Sequence, residues 1–343
     1  MILIDIGVFA HNEAGRIGPM LRSLFAQDIL AEPNFSVRLH ILANGCTDTT
    51  ASDAHKVILE QGAAIDAHVH DIREGGKSRT WNCFVHDLSR PKAVVLAFLD
   101  ADILIPEPKM LKELCYFLCA SPELAGTSSR PEKDIVHDPS LQSGFLDKLI
   151  TSAGGTLNSG KTSICGQLYL LRSDVARSFH MPIGLPTEDG FARAMVQTVN
   201  FIHEGAPETR LDGREDLFHV YSSERSISAL LQHQTRLVIG SAINAMIYAR
   251  LRSLPDEERI KELEMSARDP DWLPDLLKST LPRLPYGYVP THFLFKRVQY
   301  WMRSPNKFHP KRVLVVVAGF AFDAVVYVRA QAKMWRGAGA GYW

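Results

Sequence analysis

Short apolar runs alternate with longer stretches of helical periodicity through the first hundred residues of the chain. Runs rich in Val, Ile and Leu predict strands at 2–9, 37–42, 65–70 and 93–99. Apolar residues at helical spacing predict the intervening helices, at 16–26, 49–61 and 77–88. Strands and helices that alternate in this way predict a mainly parallel sheet with helices on both faces.

The pattern becomes less regular after residue 121. A polar stretch at 126–138 and a Gly/Ser-rich segment at 152–162 predict long loops. A strand is predicted to return at 164–171, and a helix is predicted to begin near Thr187, where carboxylates follow at once.

The character of the chain changes again at about residue 223. Long helical patterns dominate from there, most clearly at 226–252 and 311–335, and prolines break the region between them into shorter pieces. The sequence therefore predicts an α/β domain over 1–222 and a helical C-terminal region over 223–343.

Polar residues collect at the ends of three predicted strands. The segment 11–13 follows the first strand, 44–48 the second and 100–102 the last. Ligands of parallel α/β sheets bind beyond the carboxyl ends of the strands, so we expect a ligand site there. Asp48 also suits the N-terminal capping of the helix that follows it, and both roles stay open.

Asp100 and Asp102 are the most informative of these residues. A hydrophobic strand delivers the two carboxylates at its open end, where charge is costly unless it is paired or bound to metal. Residues two apart on a strand point to the same side, so both can approach one cation. Hard oxygen ligands of this kind suit Mg2+ or Mn2+. A surface turn with two aspartates is the competing interpretation.

Composition excludes some classes of function. Lys plus Arg equals Asp plus Glu at 38 each, so there is no global basic field to hold nucleic acid. The five cysteines are scattered without paired spacing, which suits a reducing compartment. The first residues lack the pattern of a signal peptide, and we expect a cytoplasmic protein.

Five segments, in order along the chain, resemble the family 2 glycosyltransferases of the GT-A fold. They are GVFAHNE (7–13), LANGCTD (42–48), GGKSRTWN (75–82), DAD (100–102) and TED (187–189). Ala43 departs from the pattern, because many relatives carry at this position an aspartate that contacts the nucleotide.

The resemblance implies a metal-dependent, inverting transfer of sugar from a nucleoside-diphosphate sugar. It implies metal binding by Asp102 and general-base catalysis by Asp189 with Glu188 beside it. A further segment, CGQLY (165–169), resembles the floor of the acceptor site in relatives, which implies acceptor contact at Gly166 and Gln167; a core strand with a kink is the equal alternative. The residues implied to contact the donor are Asn12, Glu13, Asn44, Asp48, Lys77 and Asp100. The implied acceptor is a saccharide or a lipid-linked one, in cell-envelope or exopolysaccharide synthesis.

The apolar segment 313–328 raises the question of a membrane. Its 16 residues are fewer than the roughly 20 that a spanning helix needs, and Asp323 lies within it. Basic and aromatic flanks favour either peripheral contact with the inner face of the plasma membrane or packing on the catalytic domain.

Three other functions stay open beside a glycosyltransferase. Ala43 makes a catalytically degenerate nucleotide-sugar-binding protein conceivable, and the C-terminal helices would suit a membrane-associated scaffold. A nucleotidyltransferase of related fold is a further alternative, although segment 11–16 lacks the glycine-rich basic loop that such enzymes usually carry after the first strand.

Overall fold

A computed structural model describes residues 1–62, 65–141, 162–203, 210–284, 286–303, 310–337 and 339. The Gly/Ser-rich segment predicted as a loop at 152–162 lies outside the described residues except for its last one. The side chains of 310–312, which form part of the basic flank of the apolar segment, and the aromatic residues at 342 and 343 also lie outside them.

The centre of the molecule is a seven-stranded sheet in the order β3-β2-β1-β4-β8-β6-β9, beside a three-stranded sheet in the order β5-β10-β7. The strands are β1 (Ile2–Ala10), β2 (Phe35–Asn44), β3 (Ala67–Ile72), β4 (Val95–Asp100), β5 (Ile103–Leu104), β6 (Gly126–Ser128), β7 (Arg130–Lys133), β8 (Leu168–Arg172), β9 (Leu211–Asp212) and β10 (Phe218–Tyr221). Strands β1 to β4 pair in parallel, and β8 runs antiparallel to β4. The predicted mainly parallel α/β sheet is thereby confirmed.

Helices follow the strands on both faces and dominate the chain after Tyr221. They are α1 (Ile17–Phe25), α2 (Thr50–Gln61), α3 (Lys77–Asn82), α4 (Met110–Ala120), α5 (Asp134–His137), α6 (Ser173–Arg177), α7 (Glu188–Thr198), α8 (Ile227–Arg252), α9 (Asp256–Ser266), α10 (Trp272–Thr280), α11 (His292–Arg303) and α12 (Pro310–Trp335). The helix predicted at 77–88 begins as α3 and ends in a π-helical turn, Cys83–Leu88.

The seven-stranded sheet lies between two hydrophobic cores, and β4 contributes side chains to both of them. Its successive side chains alternate between two hydrophobic cores, Leu96 and Phe98 in one and Val95, Ala97 and Leu99 in the other. A strand buried on both faces needs apolar side chains at every position, which is the continuous run that the sequence presents.

The prediction of a long loop at 126–138 is wrong. This segment contains β6, β7 and α5. Strand β6 is short and made of Gly, Thr and Ser, yet it is buried because it pairs with both β8 and β9. Strand β7 is polar and half-buried at the edge of the small sheet. Neither strand carries the local apolar signal on which strand prediction depends.

Helix α8 packs its apolar side chains into the core of the α/β part. Val238, Ile239 and Ile243 belong to the same buried cluster as Phe98 of β4 and Phe191 of α7. The division of the chain into two domains near residue 222 stays a prediction.

Candidate active site

Lys77 is held between two carboxylates at the open end of the sheet. Its Nζ lies 2.7 Å from Asp100 Oδ1 and 2.8 Å from Glu188 Oε1, and it also donates to the Gly166 carbonyl at 3.4 Å. Burial opposes the charge of Lys77, but the two carboxylates outweigh it and hold its pKa well above the usual range. The start of α3, the end of β4 and the start of α7 thus meet at one ammonium group.

Asp189 lies beside this ion-pair cluster, against Gly166. A Cβ added at Gly166 would lie 3.0 Å from Asp189 Cβ and 3.1 Å from its Oδ2, so the carboxylate needs a residue without a side chain there. Asp189 Oδ1 accepts a hydrogen bond from the Gly190 amide at 2.7 Å. Burial, with the charge of Glu188, raises the pKa of Asp189, which makes it a stronger proton acceptor than an ordinary aspartate.

Asp102 lies on the solvent side of the cluster, with 32% of its side chain exposed. Arg16 Nη1 is 3.4 Å from Asp102 Oδ2, and Arg16 Nε is 2.5 Å from Glu13 Oε2. Burial raises the pKa of Glu13 to about 7 in spite of Arg16, and burial raises that of Asp100 to about 6 in spite of Lys77. The charge of Asp102 adds to both shifts, so carboxylate charge is in excess at this edge of the sheet.

This excess of carboxylate oxygen fits a hard divalent cation. In the described part of the chain, no three or more His, Cys, Asp and Glu side chains are arranged to hold a metal by themselves. Mg2+ commonly takes one or two carboxylates from the protein and fills its remaining positions with water and phosphate oxygen. Asp102, with Asp100 behind it, can supply the protein's share of such a shell.

A cavity of about 370 Å³ adjoins the cluster. Its lining shares Lys77 with the cluster and otherwise consists of Phe9, Ala10, His11, Asn44, Gly75, Gly76, Ile183 and Gly184. Asn44 shapes one wall, because its Oδ1 accepts from the Gly76 amide at 2.8 Å while its carbonyl accepts from His11 Nδ1 at 2.6 Å. The ends of β1 and β2 and the Gly75-Gly76 turn therefore form one pocket.

Asn12 and Asp48 tie the first two loops of this edge together. Asn12 Oδ1 accepts from the Thr47 amide at 2.8 Å. The Asp48 carboxylate accepts from the amides of Ala14 and Thr50 at 3.1 and 2.9 Å, and from the Thr50 hydroxyl at 2.5 Å. These bonds give Asp48 a structural role at the start of α2, and its contact with a donor stays a prediction.

Gln167 lies next to the carboxylates through its backbone. Its carbonyl accepts from the Asp100 amide at 2.9 Å, and its side-chain Oε1 accepts from His219 Nε2 at 3.1 Å. His219 in turn accepts from the Ser129 hydroxyl at 2.6 Å. Burial lowers the pKa of His219 to about 3, so this buried chain of hydrogen bonds is held by a neutral imidazole.

Several residues that shape the site escaped the sequence interpretation. Arg16 lies three residues after Glu13, a spacing that favours an ion pair on one helical turn. Ile183 and Gly184 reach the cavity because Asn82 holds the backbone of Met181 by two hydrogen bonds of 2.8 Å. Gly240 and Asn244 of α8 contact Thr187, and their four-residue spacing in an apolar helix was the one available signal.

Several solved structures are similar to this protein. A mannosyltransferase from Pyrobaculum calidifontis, in complex with GDP-Man and Mn2+, matches with a TM-score of 0.56 at 15% identity, over 97% of this chain and 87% of that one. Two weaker likenesses are to S. aureus TarS with UDP-GlcNAc (TM-score 0.48, 13% identity, 98% and 90% covered) and to glucosyl-3-phosphoglycerate synthase from Mycobacterium tuberculosis with Mg2+ and UDP (0.46, 15%, 74% and 81%). No protein-family model matches the chain, and no curated protein matches it by sequence.

The first of these likenesses shows the fold. The protein has a GT-A-type α/β fold, with a mostly parallel central sheet and helices at its C-terminal end. The fold expected from the five ordered segments is thereby confirmed, while the roles of the individual residues stay predictions.

Proposed function

We propose that this protein is a glycosyltransferase that moves a sugar from a nucleoside-diphosphate sugar to an acceptor hydroxyl. The observation that carries the proposal is the gathering of Asp100, Asp102, Glu188 and Asp189 around Lys77, beside a cavity of about 370 Å³. Binding of a donor, stabilisation of a diphosphate and acceptance of a proton need these groups at one place.

The cavity supports the donor part of the proposal. Its volume lies within the range of about 300–1,000 Å³ that is typical of small-molecule sites. The aromatic side chain of Phe9 and the polar groups of His11 and Asn44 line it, which suits a nucleoside. Asn12, Glu13 and Asp48 close the same edge, and Lys77 would place positive charge between nucleoside and phosphates.

The carboxylate pair supports the metal part. Bound Mg2+ or Mn2+ would stabilise the negative charge that grows on the diphosphate as the sugar leaves. In this proposal Asp102 holds the cation. Asp100 is kept in place by Lys77 and completes the negative surface that attracts it.

Asp189 supports the acceptor part. Its raised pKa suits a carboxylate that takes the proton of the acceptor hydroxyl while that oxygen bonds to the anomeric carbon. The bond between that carbon and the diphosphate oxygen breaks in the same step, so the configuration inverts. Gly166 and Gln167 form the floor of the acceptor site, and Glu188, fixed by Lys77, orients the acceptor.

The acceptor in this proposal is a saccharide or a lipid-linked saccharide of the cell envelope or of an exopolysaccharide. Both would be met in the cytoplasm or at the inner face of the plasma membrane. A catalytically degenerate sugar-nucleotide-binding protein is the second candidate, favoured by Ala43. This residue is fully buried at the end of β2, so its methyl group offers the nucleotide no polar contact.

Thermal unfolding of the full chain with a panel of sugar nucleotides, with and without Mn2+, tests the proposal. We expect one nucleotide to raise the Tm only with the metal, and expect Asp102→Asn to remove that shift. Asp174→Asn is the matched control, because Asp174 follows β8 at the opposite edge of the sheet from Asp102. No shift with any sugar nucleotide contradicts the proposal, whereas a shift without release of nucleoside diphosphate supports the degenerate protein.

A further inference from the structure

Exposed apolar side chains are concentrated at the C-terminal end of the chain. In the described residues, helices α11 and α12 expose Phe295, Tyr300, Met302, Val313, Leu314, Val315, Val317, Val325, Val328 and Trp335. Isolated exposed apolar residues are ordinary on a protein surface, but so many on two helices that pack together indicate a contact surface.

The two halves of α12 have different surroundings. The second half is fixed in the protein, where Val326, Ala330 and Met334 are buried and Gln331 accepts from the Tyr288 amide at 3.0 Å. The first half is covered on one side only, by α11, and is otherwise exposed. Leu314, Val315 and Val317 are 71%, 70% and 60% exposed, although successive residues of a helix point in different directions.

A helix that is apolar on all sides belongs in a protein core or in lipid. One helix of the described residues, Val313–Trp335, is long and apolar enough to cross a membrane, and 22% of its most apolar window is buried in the protein. A core helix would be largely covered, so burial within this chain does not account for the first half of α12.

Helix α11 packs against one side of the first half of α12, and the two helices together are called the α11–α12 hairpin below. Arg297 Nε donates to Asp323 Oδ2 at 2.8 Å, and a Cβ added at Gly319 would lie 3.1 Å from the Arg297 side chain. The rings of Phe295 and Phe320 stack with their centroids 6.1 Å apart. These contacts hold the two helices together, so the exposed surface needs no rearrangement before it binds.

The exposed charges on the described residues of α11 and α12 are all positive. Helix α11 contains Lys296, Arg297 and Arg303 and no acidic residue, and Asp323, the single acidic residue of α12, is buried against Arg297. Lys296 and Arg303 are exposed beside the apolar side chains. Two helices that expose apolar side chains together with cations, and no carboxylate of their own, are complementary to anionic lipid headgroups.

We propose that α11 and residues 313–322 of α12 insert their exposed apolar side chains into one leaflet of a bilayer that carries anionic lipid. The segment 313–322 of α12 has ten residues, and at a rise of about 1.5 Å per residue it is about 15 Å long. The hydrocarbon core is about 30 Å thick, so this length enters one leaflet and does not cross. The rest of α12 is anchored on the protein along one face, through Val326, Ala330 and Met334, so it does not extend the inserted segment.

The insertion would also orient the candidate active site. Helix α12 packs on α8, and α8 holds Thr187, which directly precedes Glu188 and Asp189. A bilayer bound at the hairpin would therefore stand in a fixed relation to the carboxylates. The inference of membrane insertion does not rest on the proposed transferase activity, and either can fail alone.

Flotation of the full chain with lipid vesicles tests the insertion. We expect the protein to float with vesicles of phosphatidylcholine and phosphatidylglycerol, and more weakly with phosphatidylcholine alone. The double variant L314D/V315D should bind vesicles at least on the order of tenfold less tightly, because two apolar side chains of the segment 313–322 are lost and two anions are added. Leu59→Asp on α2, where Leu59 is 80% exposed, is the matched control and should float like the wild type.

Three results would overturn the inference. The first is a wild-type chain that floats with neither kind of vesicle, and the second is equal flotation of L314D/V315D. The third is a dimer in light scattering that L314D/V315D disperses, since a second copy would then cover the surface. Arg303→Glu should selectively lower flotation with phosphatidylglycerol, and unfolding curves of all variants should match that of the wild type.

Discussion

Gly240 of α8 lies directly against Thr187, the residue that precedes Glu188. A Cβ added at Gly240 would lie 2.4 Å from Thr187 Cγ2 and 2.5 Å from its Oγ1. One turn later, Asn244 Nδ2 donates to the Thr187 carbonyl and hydroxyl oxygens at 3.1 and 3.2 Å. The position of the two acidic residues at the start of α7 therefore depends on a helix some fifty residues further along the chain.

Gly240→Ala should damage the site through this contact. Because the added methyl group overlaps Thr187, we expect the free energy of unfolding to fall by about 1–3 kcal/mol and transfer to slow more than donor binding weakens. Urea unfolding and initial rates measure the two effects. Ser241→Ala, at the exposed next position of the same helix, should change neither. Full activity of Gly240→Ala would mean that the contact does not position Glu188 and Asp189.

Asp189→Asn should separate chemistry from binding. The amide keeps the shape of the side chain but cannot accept the acceptor's proton, so we expect kcat to fall by a factor of about 100 or more. The KM for the sugar nucleotide should stay within about threefold, because the proposed mechanism gives Asp189 a contact with the acceptor and none with the donor. Asp256→Asn, at the start of α9, is the control for a carboxylate in a first helical turn. A variant that retains normal kcat would exclude Asp189 as the base.

Lys77→Met should leave Asp100 and Glu188 without their shared cation. Removing one partner of a buried ion pair leaves unpaired charge, and we expect a loss of about 3 kcal/mol in the free energy of unfolding at neutral pH. The loss should shrink at about pH 5, because protonation of Asp100 then removes part of the unpaired charge. Lys77→Arg keeps the positive charge and should lose less. A loss that does not change with pH would contradict this account.

Glu13→Gln should change how stability depends on pH. The pKa of Glu13 is raised from 4.5 to about 7 in the folded protein, so the folded state keeps a proton that the unfolded state has released. The contribution of Glu13 to the stability of the wild type therefore falls as pH rises between these two values. Glutamine carries no charge, so the variant should have the higher Tm above pH 7 and no advantage below pH 4.5. Glu107→Gln, at an exposed position, is the control.

The outcome at Glu13 also bears on function. If Glu13 contacts the donor, the more stable Glu13→Gln variant should bind the sugar nucleotide less tightly, because the carboxylate that would make this contact is gone. Equal Tm values for variant and wild type across the whole pH range would contradict a raised pKa of Glu13, because its ionisation would then cost the folded protein no stability. Thermal unfolding at several pH values, repeated with donor, measures both effects.

The elements with strong local patterns could be predicted from the sequence. Strands β1 and β4 carry nearly continuous apolar runs, and α8 and α12 carry long helical ones. Because parallel strands end at a common edge, the neighbourhood of Asn44 and Asp100 also followed from the order of elements. Strands β6 and β7 could not be predicted, because they carry no apolar pattern of their own. They form strands because they pair with β8, β9 and β10.

By itself, the sequence determined which chemical groups stand at the open end of the sheet, because strand periodicity and chain order depend on neighbouring residues. The tertiary structure alone decided how those groups are paired. It placed Lys77 between Asp100 and Glu188, Arg16 beside Asp102, and Gly240 against Thr187. Residues that meet in these contacts are separated by tens of residues, and no local pattern encodes a contact whose two halves are so far apart along the chain. Only the tertiary structure likewise shows that the first half of α12 is exposed, because whether an apolar helix is covered depends on what the rest of the chain packs against it.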